Sequence, residues 1–209
     1  MGSSSVFPGL PVPPDRFGDH TWHSFRFVPA RLPLYDVPDM ARYVALLRAV
    51  NVGGTGKLPM SILVEMCEAL GLGQVRTYIA SGNVLFSSKL KERRVKALLE
   101  QRLAEYAGKP VGVLVRTAEE MAAVLAANPF RAEPSNRTVA IFLDARPPQD
   151  ALQEVKGLRS ERLALGTREI YVAYGDRMAD SRLVIPAAAA GTARNMNTVA
   201  KLAAMAGEI

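Results

Sequence analysis

The chain has 209 residues, of which 49% are hydrophobic and 22% charged, with 26 Lys+Arg against 20 Asp+Glu for a formal charge of +6. That balance excludes collagen-like, wholly disordered and disulfide-rich classes, and no apolar run approaches the ~18 residues a membrane span needs. One cysteine, Cys67, leaves no partner for an intrachain disulfide and no cysteine cage for a metal, and it fits a reducing compartment.

Residues 1–39 differ from the rest. They hold 7 of the 14 prolines, both histidines (His20 and His23), the only tryptophan (Trp22), and three arginines against four aspartates. Proline interrupts every periodic stretch, and there is no apolar core or small-residue cleavage pattern of a secretory signal. This segment is expected to be a disordered leader, and an over-called translation start would produce one. Residues 40–209 then carry a net +7 and no histidine. Ser-His and Cys-His activation and His-based zinc are unavailable to such a core. Catalysis would rest on carboxylates, lysine, tyrosine or an oxygen-ligated metal. Asp144, Asp150, Asp176 and Asp180 lack ligand spacing, so neither a metal nor a cofactor is expected.

In chain order, Arg42 to Ala49 predicts a strand buried on both faces. A glycine loop, Asn51 to Pro59, leads into a helix over Met60 to Leu70 with Leu63, Met66, Cys67 and Leu70 on one face. Val75 to Ala80 and Val84 to Ser87 predict a hairpin about Ser81-Gly82-Asn83. Leu90 to Tyr106 predicts an amphipathic helix with Val95, Leu98, Leu99, Leu103 and Tyr106 inward, and Val111 to Arg116 a further strand. This β-α-β-β-α-β order is that of a ferredoxin-like unit. Thr117-x-x-Glu120 is a capping box opening a helix to about Ala127. Then come a strand at Thr138 to Leu143, a short helix at Gln149 to Leu158, a hairpin of Arg162–Leu165 and Glu169–Tyr174, and a last helix from about Asn197 to Ala206. The expectation is an α+β fold of two ferredoxin-like β-α-β-β-α repeats, about 40–116 and 117–209, with mainly antiparallel sheets.

Several segments together resemble the bacterial family called domain of unknown function 1697. They are Tyr43-Val44-Ala45-Leu46-Leu47-Arg48-Ala49-Val50-Asn51-Val52-Gly53-Gly54, Val75 to Val84, Val115-Arg116-Thr117, Asn128-Pro129-Phe130, and Gly191 to Val199. Met196 stands where the family usually has an aromatic. The resemblance implies a duplicated ferredoxin-like architecture and a cytoplasmic bacterial protein. It implies no activity, because the family has none assigned.

The glycine loop fails as a P-loop. Asn51 stands where the first glycine belongs, and Leu58 where the magnesium-binding hydroxyl belongs. Gly53, Gly54 and Lys57, ahead of a helix, still suit an anion, although a plain connection would look the same. Ser81 and Asn83 flank a turn and either shape it or present polar groups at the sheet end. Thr192, Arg194, Asn195 and Asn197 precede the last helix. One of the asparagines suffices as a cap, leaving the other donors for a ligand. With Arg48 and Asn51, these residues form the candidate ligand-binding set. The leading expectation is a non-catalytic binding module for nucleic acid or a nucleotide-like anion. The alternatives are a histidine-free enzyme on a phosphorylated substrate, with Lys57 or Arg194 stabilising charge, and a protein-interaction module such as a homodimer. Membrane association is not expected.

Overall fold

The computed structural model describes residues 40–51, 58–176 and 178–209. The leader and the candidates Gly53, Gly54 and Lys57 lie outside the described residues. The fold is mixed α+β, with two four-stranded antiparallel sheets and four α-helices among those residues.

The first sheet is built from Ala41–Leu47 (β1), Gly73–Thr77 (β2), Asn83–Ser88 (β3) and Val113–Thr117 (β4), ordered β2-β3-β1-β4. Side chains alternate across a strand, so β1 serves two layers. Tyr43, Ala45 and Leu47 pack with the inward residues of helices Met60–Ala69 (α1) and Glu92–Ala107 (α2), namely Leu63, Met66 and Cys67 of α1 and Val95, Leu99 and Leu103 of α2. Val44 and Leu46 face the other way into a second cluster. A central strand covered on both sides accounts for its continuous apolar run. Tyr106 departs from expectation. It sits in the last turn of α2 and is 48% exposed, not inward.

The helix Ala118–Ala126 (α3) follows β4 directly. Both halves of the anticipated capping box are present: Thr117 Oγ1 accepts from the Glu120 N–H at 3.2 Å, and Glu120 Oε2 accepts from the Thr117 N–H at 2.9 Å.

Thr138–Phe142 (β5), Arg162–Leu165 (β6), Glu169–Ala173 (β7) and Thr192–Asn195 (β8) form the second sheet, ordered β6-β7-β5-β8. The chain ends in the helix Met196–Gly207 (α4). Ala140, Phe142 and Tyr171 of this sheet join Val44, Leu46, Leu85 and Leu114 of the first, together with residues of α3 and α4, in one shared core. No helix among the described residues is long and apolar enough to cross a membrane.

Two elements differ from the sequence reading. The expected helix at 149–158 is absent, and residues 149–154 are turns. Ala151 N–H to Pro148 O and Gln153 N–H to Asp150 O are tight three-residue bonds, and Lys156 then bridges to Val184. The segment is below the length at which helix nucleation is repaid, and Gly157 at φ +68° ends it against Arg182. The second difference is β8. The polar segment Thr192 to Asn195, expected only to lead into the last helix, is a strand whose inward positions are Thr192 and Arg194.

Candidate functional site

Most of the candidate residues meet where β1 ends. Ala49 and Asn51 have left-handed backbones (φ +48° and +58°), which turn the chain sharply after Arg48. The Asn51 amide then holds both ends of the glycine loop. Its Oδ1 accepts from the Leu58 N–H at 2.7 Å, and its Nδ2 donates to Leu58 O at 2.9 Å and Ala80 O at 2.8 Å.

The hairpin Tyr78–Asn83 lies alongside. Gly82, at φ +77°, gives its carbonyl to the Leu47 N–H at 2.8 Å, and a Cβ on it would come within 2.9 Å of Leu47 Cβ. Only glycine fits both the conformation and the space. Asn83, fully buried, donates Nδ2 to Tyr78 O at 2.9 Å and Ser81 Oγ at 3.1 Å. Ile79, a β-branched residue at φ +50°, stands 49% exposed at the tip. Three non-glycine residues in the left-handed region thus cluster here, and such strain concentrates at ligand clamps and functional loops.

Arg194 reaches into this corner from β8 and is 8% exposed. Nε donates to Asn83 Oδ1 at 2.6 Å, Nη1 to Thr192 Oγ1 and Ala193 O at 2.9 Å each, and Nη2 to Leu47 O at 3.1 Å and Ser81 O at 3.0 Å. All five N–H groups are therefore used inside the protein. Burial alone pulls its pKa down to about 10, so it stays charged at neutral pH. Arg48 lies beside it, with Nε on Gly191 O at 3.2 Å and Nη2 on Ala189 O at 2.9 Å. Among the described residues neither arginine has a carboxylate partner, and Arg48 Nη1 has no acceptor.

Thus Arg48, Asn51, Ser81, Asn83, Thr192 and Arg194 come together. Asn195 does not join them. Its Oδ1 accepts from the Thr198 N–H at 2.9 Å and caps α4. Asn197 lies apart, in a groove between α3 and α4. Cys67 is fully buried, and burial pushes its thiol up to about 12, which leaves it inert. Among the described residues no group of His, Cys, Asp and Glu is arranged to hold a metal.

Sequence reasoning missed a second buried guanidinium. Arg116, on β4, is 1% exposed and lies 5.5 Å above the Phe142 ring. Nη1 donates to Val115 O at 2.8 Å, and Nη2 to Leu143 O at 2.6 Å and Arg168 O at 2.9 Å. Desolvation lowers its pKa, and the neighbouring Arg168 lowers it further, against Glu120, Glu92 and Glu169. Arg168 itself is held by both oxygens of Glu92, at 2.9 and 3.3 Å. The available signal was an arginine at an inward-facing position of the apolar strand Val113–Thr117.

Arg116 and Arg194 occupy matching places. Arg116 pairs opposite Val44 on β1, and Arg194 opposite Ala140 on β5. Each sends its guanidinium to backbone carbonyls of the other half of the chain.

The family described as a protein of unknown function, DUF1697, matches residues 40–171. The chain belongs to this family. Among solved structures it is similar to the conserved bacterial protein SP0830 from Streptococcus pneumoniae, with 26% identity and a TM-score of 0.65, covering 80% of this chain and 99% of that one. No curated protein matches. The family match spans β1 through most of β7, so it takes in Arg48, Asn51, Ser81 and Asn83, while Arg194 lies beyond it.

Proposed function

We propose that this DUF1697 protein is a binding module for a phosphate-bearing anion, a nucleotide-like metabolite or a nucleic acid, held at the corner formed by Arg48, Asn51 and Ser81. One observation carries this. Of the two matching arginine corners, that of Arg116 has Glu92, Glu120 and Glu169 around it. Arg194 is buried, which lowers its pKa, and it has no carboxylate partner among the described residues. A buried charge is costly unless paired, and an anion at the rim offsets that cost. Arg194 supplies field rather than contacts, because its donors are spent. Arg48 Nη1, Gly53, Gly54 and Lys57 would supply contacts, while Asn83 and Thr192 hold Arg194 in place.

The same reading takes the chain as a duplicated ferredoxin-like unit, 40–116 and 117–209, in the cytoplasm. The support is the equivalent strand order of the two sheets and the matched arginines. The second unit departs from the pattern in lacking a helix between β5 and β6.

The deciding measurement is titration calorimetry of the full chain with pyrophosphate and, separately, a short single-stranded oligonucleotide, at low and high salt. Binding that weakens about tenfold or more in Arg48→Ala supports the site. Equal affinity in that variant, or no binding of either probe at low salt, overturns it. The absorbance ratio at 260 and 280 nm of the purified protein separates nucleic acid from a small metabolite.

A further inference from the structure

A groove of about 660 Å³ runs between α3 and α4, within the size range of small-molecule sites. Its walls are apolar and short, with Leu125 and Ala126 from α3 and Ala200, Ala203 and Ala204 from α4. Ala122 and Met196 add to the apolar lining, and the polar part is Asn128, Arg131, Ser135 and Asn197. Asn128 is only 8% exposed. Its Oδ1 accepts from the Phe130 N–H at 2.9 Å, and its Nδ2 has no acceptor among the described residues. Arg131 gives Nε to Asn128 O at 3.3 Å, and its two Nη groups have neither a hydrogen-bond acceptor nor an ion-pair partner among those residues. Among the described residues no carboxylate lines the groove.

We propose that this groove binds a small amphipathic carboxylate, with an acyl or aryl body lying between the helices and its carboxylate on Arg131 and Asn128. Three features select that chemistry. Apart from Asn197 at the start of α4, the helix walls are apolar, so the body must be apolar. Among the described lining residues the one charge is a guanidinium with open Nη groups, whose planar fork matches a carboxylate. The unused Asn128 amide is a neutral donor beside it, held in place by its own hydrogen bond to Phe130. The N-terminus of α4, where Asn197 sits, adds a favourable dipole. The site is separate from the Arg48 corner and does not depend on it.

The test is a two-dimensional NMR titration of the full chain with sodium octanoate and with 1-octanol, which shares the body but lacks the charge. Octanoate is expected to give saturable shifts at Leu125, Asn128 and Ala203, with octanol about tenfold weaker. Arg131→Gln should bring octanoate down to the affinity of octanol and leave octanol unchanged. Ala204→Phe, at an exposed wall position, should abolish both while the rest of the spectrum is retained. Octanoate and octanol binding equally would overturn recognition of the carboxylate. Shifts clustered elsewhere, unchanged binding in Ala204→Phe, or no saturable shifts at millimolar octanoate would overturn the groove.

Discussion

Arg194 couples three separate stretches of chain through one side chain, because its fan of donors ends on Asn83, Leu47 and Ser81 as well as on its own strand. Arg194→Ala removes the donor from Asn83 Oδ1 and Ser81 O and leaves Leu47 O with only the long bond from the Thr192 hydroxyl. It should cost about 3–5 kcal/mol in a urea unfolding curve, since each buried acceptor left unsatisfied costs about 1–3 kcal/mol. Arg194→Lys should recover less than half of that, since an ammonium cannot span acceptors laid out for a planar fork. A loss below about 1 kcal/mol would show the contacts to be unimportant. Asn51, Asn83 and Arg194 were recognisable beforehand as polar residues in turn-rich or surplus-donor segments. Their partners were not. The bond from Arg194 to Asn83 joins residues 111 positions apart, and no local pattern encodes it. Composition suggested donors aimed at a ligand, whereas most of them are aimed at backbone carbonyls.

Where local rules dominate, the elements followed the sequence closely. The capping box of α3 needs only Thr117 and Glu120 three residues on, and both bonds formed. Thr117→Ala should therefore cost about 1 kcal/mol, the usual value of an N-cap, read as a shift in the urea midpoint with unchanged slope. The α1 and α2 stripes and the β2–β3 turn were legible for the same reason. The failures have a common cause in tertiary context. Pro147-Pro148 followed by a ten-residue polar-apolar mixture satisfies the pattern of a helix start, yet the Lys156–Val184 bridge draws the chain across the second sheet instead. In β8 the alternation is present, with Thr192 and Arg194 buried and Ala193 exposed. The inward residues are polar, so a hydrophobic template could not detect it.

Both sheets contribute to one shared core, with Val44, Leu46, Leu85 and Leu114 meeting Ala140, Phe142 and Tyr171. Cutting Leu46, which is fully buried there, to alanine should cost about 2–5 kcal/mol. The two sheets should still melt in one transition, by circular dichroism and by the fluorescence of a reporter placed on either sheet. Two separated transitions would show that the halves are independently stable. The crossed arginines bear on this. Arg116 reaches from β4 to the carbonyls of Leu143 and Arg168, and Arg194 from β8 to those of Leu47 and Ser81. Donor and acceptor surfaces are thus exchanged in both directions, which is the self-complementary arrangement of an isologous dimer. Under the proposed duplication, a lone ancestral half would have carried one unsatisfied guanidinium and one set of unsatisfied carbonyls. Pairing with a copy of itself would have met both needs.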